Sequence, residues 1–390
     1  MAKKFFVLTV VLFLLAGISA IAFAADTAVA STTAADESGP SVRVGGWLKM
    51  WIFDRPAGIG KDVGAGKQID ITKSYGVSFN EFDLILNVKC NDLVSFLLEP
   101  NWSSSTGATP KLGQVSLPSA NPTVPNGITQ TSIAASNWGH GVAEMILNLP
   151  QDITLEVGAL RPHFSMDYGE ELFFDEEMTT GKATHDLMVL EDYGFGVAKS
   201  FTFGDLSLPV NLYILGGADG DFKFENNNQP GVMLHVEPHY GPVELYGSFF
   251  ASRWDDKERY AKTKGLFGIN VSWEGLTLRS EFARDRIENK VNAAAGIDKT
   301  DEGYYVKLFY RVLPWLQFMI HHDSALEGAS TGPANRGKTT RYLTNTIAAE
   351  INLSDSTILQ VNCEVGDWRT NNNDKSVVYT RPNIAVRSSF

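Results

Sequence analysis

The chain has 390 residues, with 33 Lys and Arg against 45 Asp and Glu (formal net charge −12), 44% apolar residues, 11% aromatics and only 2 Cys. Such an apolar share excludes a disordered chain, the acidic balance argues against nucleic acid as a partner, and two Cys cannot build a disulfide framework. Beyond the first two dozen residues no apolar run reaches the ~18–20 residues of a spanning helix, which leaves a soluble all-β protein or a membrane β-barrel.

Residues 1–24 read as a secretory signal peptide. Lys3 and Lys4 give the charged start, Phe5 to Ala16 the apolar middle, and Ala22-Phe23-Ala24 a small-residue cleavage site. The rival, a single-span anchor, fits poorly because the apolar core is short, and no Cys follows for lipidation. Cleavage removes 24 of the 390 residues and two of the 33 basic ones. The mature chain from Ala25 then has 366 residues, 31 basic and 45 acidic groups, and a net charge of −14. Residues 25–40 are Ala/Thr/Ser-rich and read as a periplasmic linker, with 41–390 as the folded unit.

From residue 41 onward, stretches of about ten residues alternate apolar and polar, the period of strands. Phe82, Leu84, Leu86, Val88 and Cys90 alternate with Glu81, Asp83, Ile85, Asn87 and Lys89. Tyr304, Val306, Leu308, Tyr310 and Val312 alternate with Tyr305, Lys307, Phe309 and Arg311. Counting each such stretch predicts sixteen strands, near 41–53, 77–90, 93–102, 138–149, 152–161, 191–202, 206–216, 231–240, 243–252, 266–274, 276–285, 303–313, 315–323, 341–353, 356–368 and 376–390.

The connections sort by length. Tight turns are expected at Asn91-Asp92, Pro150-Gln151, Gly204-Asp205, Gly241-Pro242, Glu274-Gly275, Leu313-Pro314 and Ser354-Asp355. Between them lie long polar connections near 54–76, 103–137, 162–190, 217–230, 253–265, 286–302, 324–340 and 369–375. Short turns on one side and long loops on the other are the layout of a transmembrane antiparallel barrel, in which both termini face the periplasm. Seven Trp (Trp51, Trp102, Trp138, Trp254, Trp273, Trp315 and Trp368) fall at or near strand ends, where interfacial girdles belong. A sheet in lipid must close on itself to satisfy its backbone, so the expected fold is all-β, a closed barrel of about sixteen strands.

The last strand ends in Phe390, preceded at alternate positions by Ser388, Val386 and Ile384. A terminal Phe on an alternating strand resembles the assembly signal of Gram-negative outer-membrane porins. Val157-Gly158-Ala159-Leu160-Arg161-Pro162-His163-Phe164-Ser165 is similar to the strand-to-loop segment V-G-x-F-K-x-P-F of phosphate-selective porins, with Pro one position early and Leu in place of Phe. The resemblance implies residence in the outer membrane, a homotrimer, reading of Phe390 by the barrel-assembly machinery, and passage of small polar or ionic solutes. It also implies a loop that folds into the pore.

That loop would be 162–190. It carries Asp167, Glu170, Glu171, Asp175, Glu176 and Glu177, interleaved with Phe164, Met166, Tyr168, Leu172, Phe173 and Phe174. An exposed loop has little use for six such apolar residues, which favours anchoring against the inner wall over a solvated surface loop. Strand parity assigns Lys49, Lys89, Arg279, Lys307, Arg311, Arg381 and Arg387 to a basic inner wall. The same parity places Glu81, Asp83, Glu99, Glu144, Glu156, Glu237, Glu281, Glu350 and Glu364 inside. In the general porins, which this chain resembles, an acidic loop facing basic side chains sets up a transverse field that orients polar solutes. Net charge and loop lean towards cations, the local resemblance towards anions.

His235, Glu237 and His239 share a strand face, but alternate residues stand ~6.8 Å apart along a strand, so the two His are ~13 Å apart and are expected to line the lumen, not to hold a metal. His321 and His322 point to opposite faces. Cys90 and Cys363 lie on the apolar, lipid-facing parity, too far apart to bridge. Calcium sites in the Asp219-Gly220-Asp221 or Asn-rich loops match no known spacing. No cofactor is implied, and no nucleophile–base motif supports an enzyme. The expected function is therefore passive diffusion through a porin. The alternative is a barrel sheathing a partner such as a multihaem cytochrome, which would need a bore free of an internal loop.

Overall fold

A computed structural model describes residues 40–54, 57–62, 67–70, 75–101, 115–116, 139–166, 187–188, 190, 192–216, 230–254, 260–289, 299–328, 339–370 and 375–389. The segment read as a signal peptide (1–24) and nearly all of the one read as a linker (25–40) lie outside these residues.

Sixteen long strands among the described residues form the wall. They are β1 (Ser41–Asp54), β2 (Tyr75–Lys89), β3 (Val94–Asn101), β4 (Gly139–Leu149), β5 (Ile153–Leu160), β6 (Asp192–Phe203), β7 (Leu206–Leu215) and β8 (Gly231–Val236, resuming at His239–Tyr240). There follow β9 (Val243–Trp254), β10 (Tyr260–Trp273), β11 (Leu276–Asn289), β12 (Lys299–Leu313), β13 (Leu316–Gly328), β14 (Thr339–Asn352), β15 (Thr357–Thr370) and β16 (Lys375–Ser389). Each pairs antiparallel with its chain neighbours, and β1 pairs with β16 from Trp47↔Ser389 to Phe53↔Asn383. The hydrogen bonding of the wall thus returns to its start, closing the sixteen strands on themselves.

Every expected tight turn is present, the one at Leu313-Pro314 displaced by one residue to Pro314-Trp315, and for two of them the backbone shows why. Glu274 and Gly275 both have positive φ (48° and 83°), as do Gln151 and Asp152 (67° and 57°), the backbone that matches the twist of a two-stranded ribbon. The second of these turns runs one residue further than expected, through Asp152. Pro238 interrupts β8 without a slip: Val236 faces Gly247 and His239 faces Glu244 in the same register.

The far side differs from expectation. β10 begins at Tyr260, β11 runs to Asn289, β12 starts at Lys299 and β13 ends at Gly328. The connections expected at 253–265, 286–302 and 324–340 are correspondingly shorter. These extensions carry Lys262, Lys264, Arg284, Asp285, Arg286, Glu288, Asp301, Glu302 and Glu327 on both faces, so no apolar alternation marks them. Similarly, the connection 54–76 holds a hairpin, Ala57–Asp62 with Lys67–Asp70, whose first strand pairs with β16.

The burial pattern is inverted relative to a protein in water. Large apolar side chains face outward and are exposed, among them Phe267, Ile320, Ile347, Phe249 and Val361. Polar ones lie buried on the inner parity, including Asn211, His235, Glu281, Lys307, His321, Asp323, Thr346, Asn362 and Glu364. Hydrocarbon as the outer solvent explains both sets. Trp273 and Trp315, exposed at two tight turns, mark one interface. Cys90 and Cys363 are free thiols on exposed positions, as their parity implies.

Candidate functional site

The site begins where β5 ends. Gly158, with φ +140°, stands where a Cβ would run into the carbonyl oxygen of Ala143, so no other residue fits this close approach of β4 and β5. Beyond Leu160 the chain enters the bore. Phe164, Ser165 and Met166 are buried, and their partners lie far away in sequence. Ser248 Oγ on β9 donates to the Phe164 carbonyl at 2.6 Å. Glu281 on β11 takes up the rest: Ser165 Oγ donates to its Oε2 at 2.7 Å, and the Met166 N–H to its Oε1 at 2.8 Å. Tyr305 OH on β12 adds a third bond to Oε2 at 2.7 Å. Gly268 on β10 leaves the space that the Met166 and Glu281 side chains occupy.

An apolar cluster inside the barrel accompanies these bonds. Phe164, Met166, Leu187, Met188 and Leu190, from both ends of the long loop, pack with Tyr213, Leu215, Met233, Tyr246, Phe250, Leu266, Ala283 and Tyr305 of the wall. Burying each large side chain contributes roughly 1.5–3 kcal/mol, so the loop base is fixed by packing as well as by hydrogen bonds. The loop is folded into the pore at both described ends.

Register places the wall charges. One inner belt runs through nine strands, pair by pair: His239, Glu244, Asn270, Arg279, Lys307, His321, Thr346, Glu364 and Arg381. Three of the basic residues expected on the wall, Arg279, Lys307 and Arg381, thus fall on one hydrogen-bonded row of the sheet. Lys307 is fully buried, its Nζ 4.7 Å from the centre of the Tyr305 ring. Lys49 pairs with both Arg387 and Glu81 at the seam where the barrel closes. Lys89 and Arg311 sit elsewhere. Lys89 ion-pairs with Asp92 at 2.8 Å in the first tight turn, and Arg311 is exposed three residues before the Pro314-Trp315 turn. Both belong to the rim. The carboxylates Asp167, Glu170, Glu171, Asp175, Glu176 and Glu177, and Phe390, lie outside the described residues, as do the side chains of Lys49 and Arg381.

Beside the loop base is a second polar cluster. Glu237 lies between two imidazoles: His235 Nε2 is 3.2 Å from Oε2, and His239 Nε2 is 2.7 Å from Oε1. His239 Nδ1 faces Glu244 Oε1 at 3.4 Å, while Glu244 Oε2 accepts from Asn270 at 2.7 Å and Tyr246 at 3.2 Å. His235 Nδ1 is 2.8 Å from Ser248 Oγ, and the ring of His163 lies 6.4 Å from that of His235. Strand spacing keeps the two His backbones apart, yet their long side chains lean towards the shared carboxylate, a convergence that parity alone does not show. No group of three or more His, Cys, Asp or Glu among the described residues is arranged to hold a metal ion. His321 and His322 do face opposite sides: His321 is buried inside, and His322 bonds Asn345 and Tyr304 on the outer face.

Ser165, Ser248 and Tyr305 were not among the residues singled out from sequence. Their only signal there is position: a polar residue at the loop base, and hydroxyls on inner parity facing Glu281 or the loop.

No protein-family model matches the chain, and no curated protein does either. Solved structures do. The anion-selective porin from Comamonas acidovorans superposes with a TM-score of 0.57 at 13% identity, covering 90% of this chain and 100% of that one. The outer membrane channel DcaP of Acinetobacter baumannii gives 0.55 at 12% identity, covering 90% and 98%. OmpF of Salmonella typhi, solved with daunomycin, gives 0.52 at 11% identity, covering 91% and 99%. The chain has the fold of outer-membrane porins of Gram-negative bacteria.

Proposed function

We propose that the protein is an outer-membrane porin, a passive diffusion channel for small hydrophilic or ionic solutes narrowed by the loop 162–190. The observation that carries this reading is the seat of the loop: Ser165 and the Met166 N–H held by Glu281 across the bore. A loop fixed inside a closed barrel narrows it, and a narrowed, charged bore selects by size and charge. The same seat speaks against the sheath reading, which needs the bore clear.

In this reading Asp167, Glu170, Glu171, Asp175, Glu176 and Glu177 supply the negative side of the constriction, and Arg279, Lys307 and Arg381 the positive one. Lys49 and Arg387 add to the latter at the seam. Phe390 is proposed to be read by the barrel-assembly machinery, and the barrel to assemble as a homotrimer, both by likeness to porins. Planar-bilayer recording on the purified protein tests the channel: stable open conductance supports it, and silence sinks it. Replacing Asp175, Glu176 and Glu177 together by Asn, Gln and Gln should move the reversal potential in a salt gradient towards anion preference. An unchanged potential would remove those carboxylates from the ion path.

A further inference from the structure

The cluster at His235 and His239 is used neither by the loop seat nor by the basic belt. Hydrogen-bond bookkeeping shows what it does. The hydroxyl of Ser248 has one proton, and it goes to the Phe164 carbonyl, which can only accept. Ser248 Oγ therefore accepts from His235, so Nδ1 of His235 must carry a proton. The other nitrogen, Nε2, faces a carboxylate oxygen of Glu237. A neutral imidazole protonated at Nδ1 would set a lone pair against that oxygen. His239 makes ion-pair contacts on both nitrogens, Nε2 with Glu237 at 2.7 Å and Nδ1 with Glu244 at 3.4 Å, so either neutral tautomer leaves a lone pair facing a carboxylate. A proton placed on Glu237 instead could satisfy one of its two rings only.

We propose that His235 and His239 are proton-binding, charge-selecting residues of the channel, His235 as the imidazolium that its bonds to Ser248 and Glu237 require and His239 as the one ion-paired with Glu237 and Glu244. In that state two positive rings cancel two carboxylates. When the rings lose their protons the same wall carries a charge of two negatives, and the bore beside the loop base favours cations. Among the described residues, the charged or titratable groups facing the pair are Glu237 on β8, Glu244 and Tyr246 on β9, and His163 at the loop base, and all enter this balance. The β7 positions opposite the two His are Asn211 and Ser207, which are neutral. Because His235 leans on the hydroxyl that holds Phe164, its proton also supports the loop.

The inference rests on the channel reading, and two measurements keep their failures apart. In a KCl gradient, the cation-over-anion permeability ratio of the full-length protein should rise by more than about fivefold between pH about 5.5 and about 9. One unit charge ~4 Å from the ion path in water already changes the weight of the cation by about that factor, and the two rings change the wall by two charges. The double variant His235→Gln/His239→Gln should show a flat response over that range. A wild-type ratio that does not move, or a double variant that keeps the full rise, overturns the proposal. Independently of conductance, 15N spectra of the protein in detergent, assigned with the single His→Gln variants, should show both nitrogens of each ring protonated at pH about 5.5. A neutral ring at that pH also overturns it, whereas a silent but correctly titrating protein fails only as a channel.

Discussion

Two carboxylates flank the base of the pore loop, and they are held in opposite ways. Glu281 is 1% exposed and takes its bonds from a serine hydroxyl, a tyrosine hydroxyl and a backbone N–H, whose protons stay in place at any ordinary pH. Glu237 is one-fifth exposed and is flanked by two imidazoles, the side-chain type most able to exchange protons under physiological conditions. A buried carboxylate with fixed donors is a lock. One bridging two rings is adjustable. In the proposed channel, placing both within reach of a single loop lets the bore keep its shape while the charge beside it varies.

The sharpest way to break the comparison is to remove each carboxylate in turn. Glu281→Ala strands three donors in a dry place, at about 1–3 kcal/mol each before relaxation. The loss should exceed 3 kcal/mol, with a lower melting temperature in detergent and a larger, noisier conductance at every pH. Glu237→Ala should be milder, since His239 is partly exposed and can turn to water while buried His235 keeps its bond to Ser248, and its effect should differ between pH about 5.5 and about 9. Equal, pH-independent losses from both variants would erase the distinction.

Phe164→Ala comes next. The ring is fully buried among wall residues, and truncating such a side chain costs roughly 3–5 kcal/mol where the surroundings cannot collapse. A loop base can partly collapse, so the low end is expected, read as faster proteolysis of the loop in the folded barrel. Proteolysis at the wild-type rate would mean that the polar lock alone holds the loop.

How much of this was legible in the chain depends on what each feature requires. Sixteen strands could be read because lipid on one side and water on the other impose alternation on every strand, as in Tyr304–Val312. The strand extensions could not, since Lys262, Lys264, Arg284, Asp285 and Arg286 put charged residues on both faces there and pairing continues with no periodic mark. Parity placed Glu281, Glu237 and Lys307 inside. Parity gives a face and not a height, so Lys89 and Arg311 were grouped with Arg279 although they sit at the rim. The lock itself joins residues 116 positions apart, Ser165 and Glu281, and no local pattern encodes a contact between a loop and the far wall. The resemblance of 157–165 to a porin segment supplied the direction of the loop, and the six apolar residues its reason.

Ser248→Ala touches both halves of the comparison. It removes the donor to Phe164 and the acceptor for His235 at once, at about 1 kcal/mol for the bond and somewhat more if the carbonyl stays dry. It should lower stability a little and also change the pH response of the ion preference, because His235 loses the partner that obliges Nδ1 to carry the proton. A loss of stability with an unaltered pH response would separate His235 from the loop.

Tyr305→Phe is the smallest change and the cleanest control. It deletes one of three donors to Glu281 and leaves the ring, with Lys307 Nζ above it, in place. The expected loss is about 1 kcal/mol. Ser165 and the Met166 N–H still hold the carboxylate, so the loop stays seated and single-channel conductance is unchanged. Since no imidazole is involved, the loss should be the same at pH about 5.5 and about 9. A loss from Tyr305→Phe that varied with pH over this range would show that Glu281 itself exchanges protons there, and the two carboxylates would then differ in degree and not in kind.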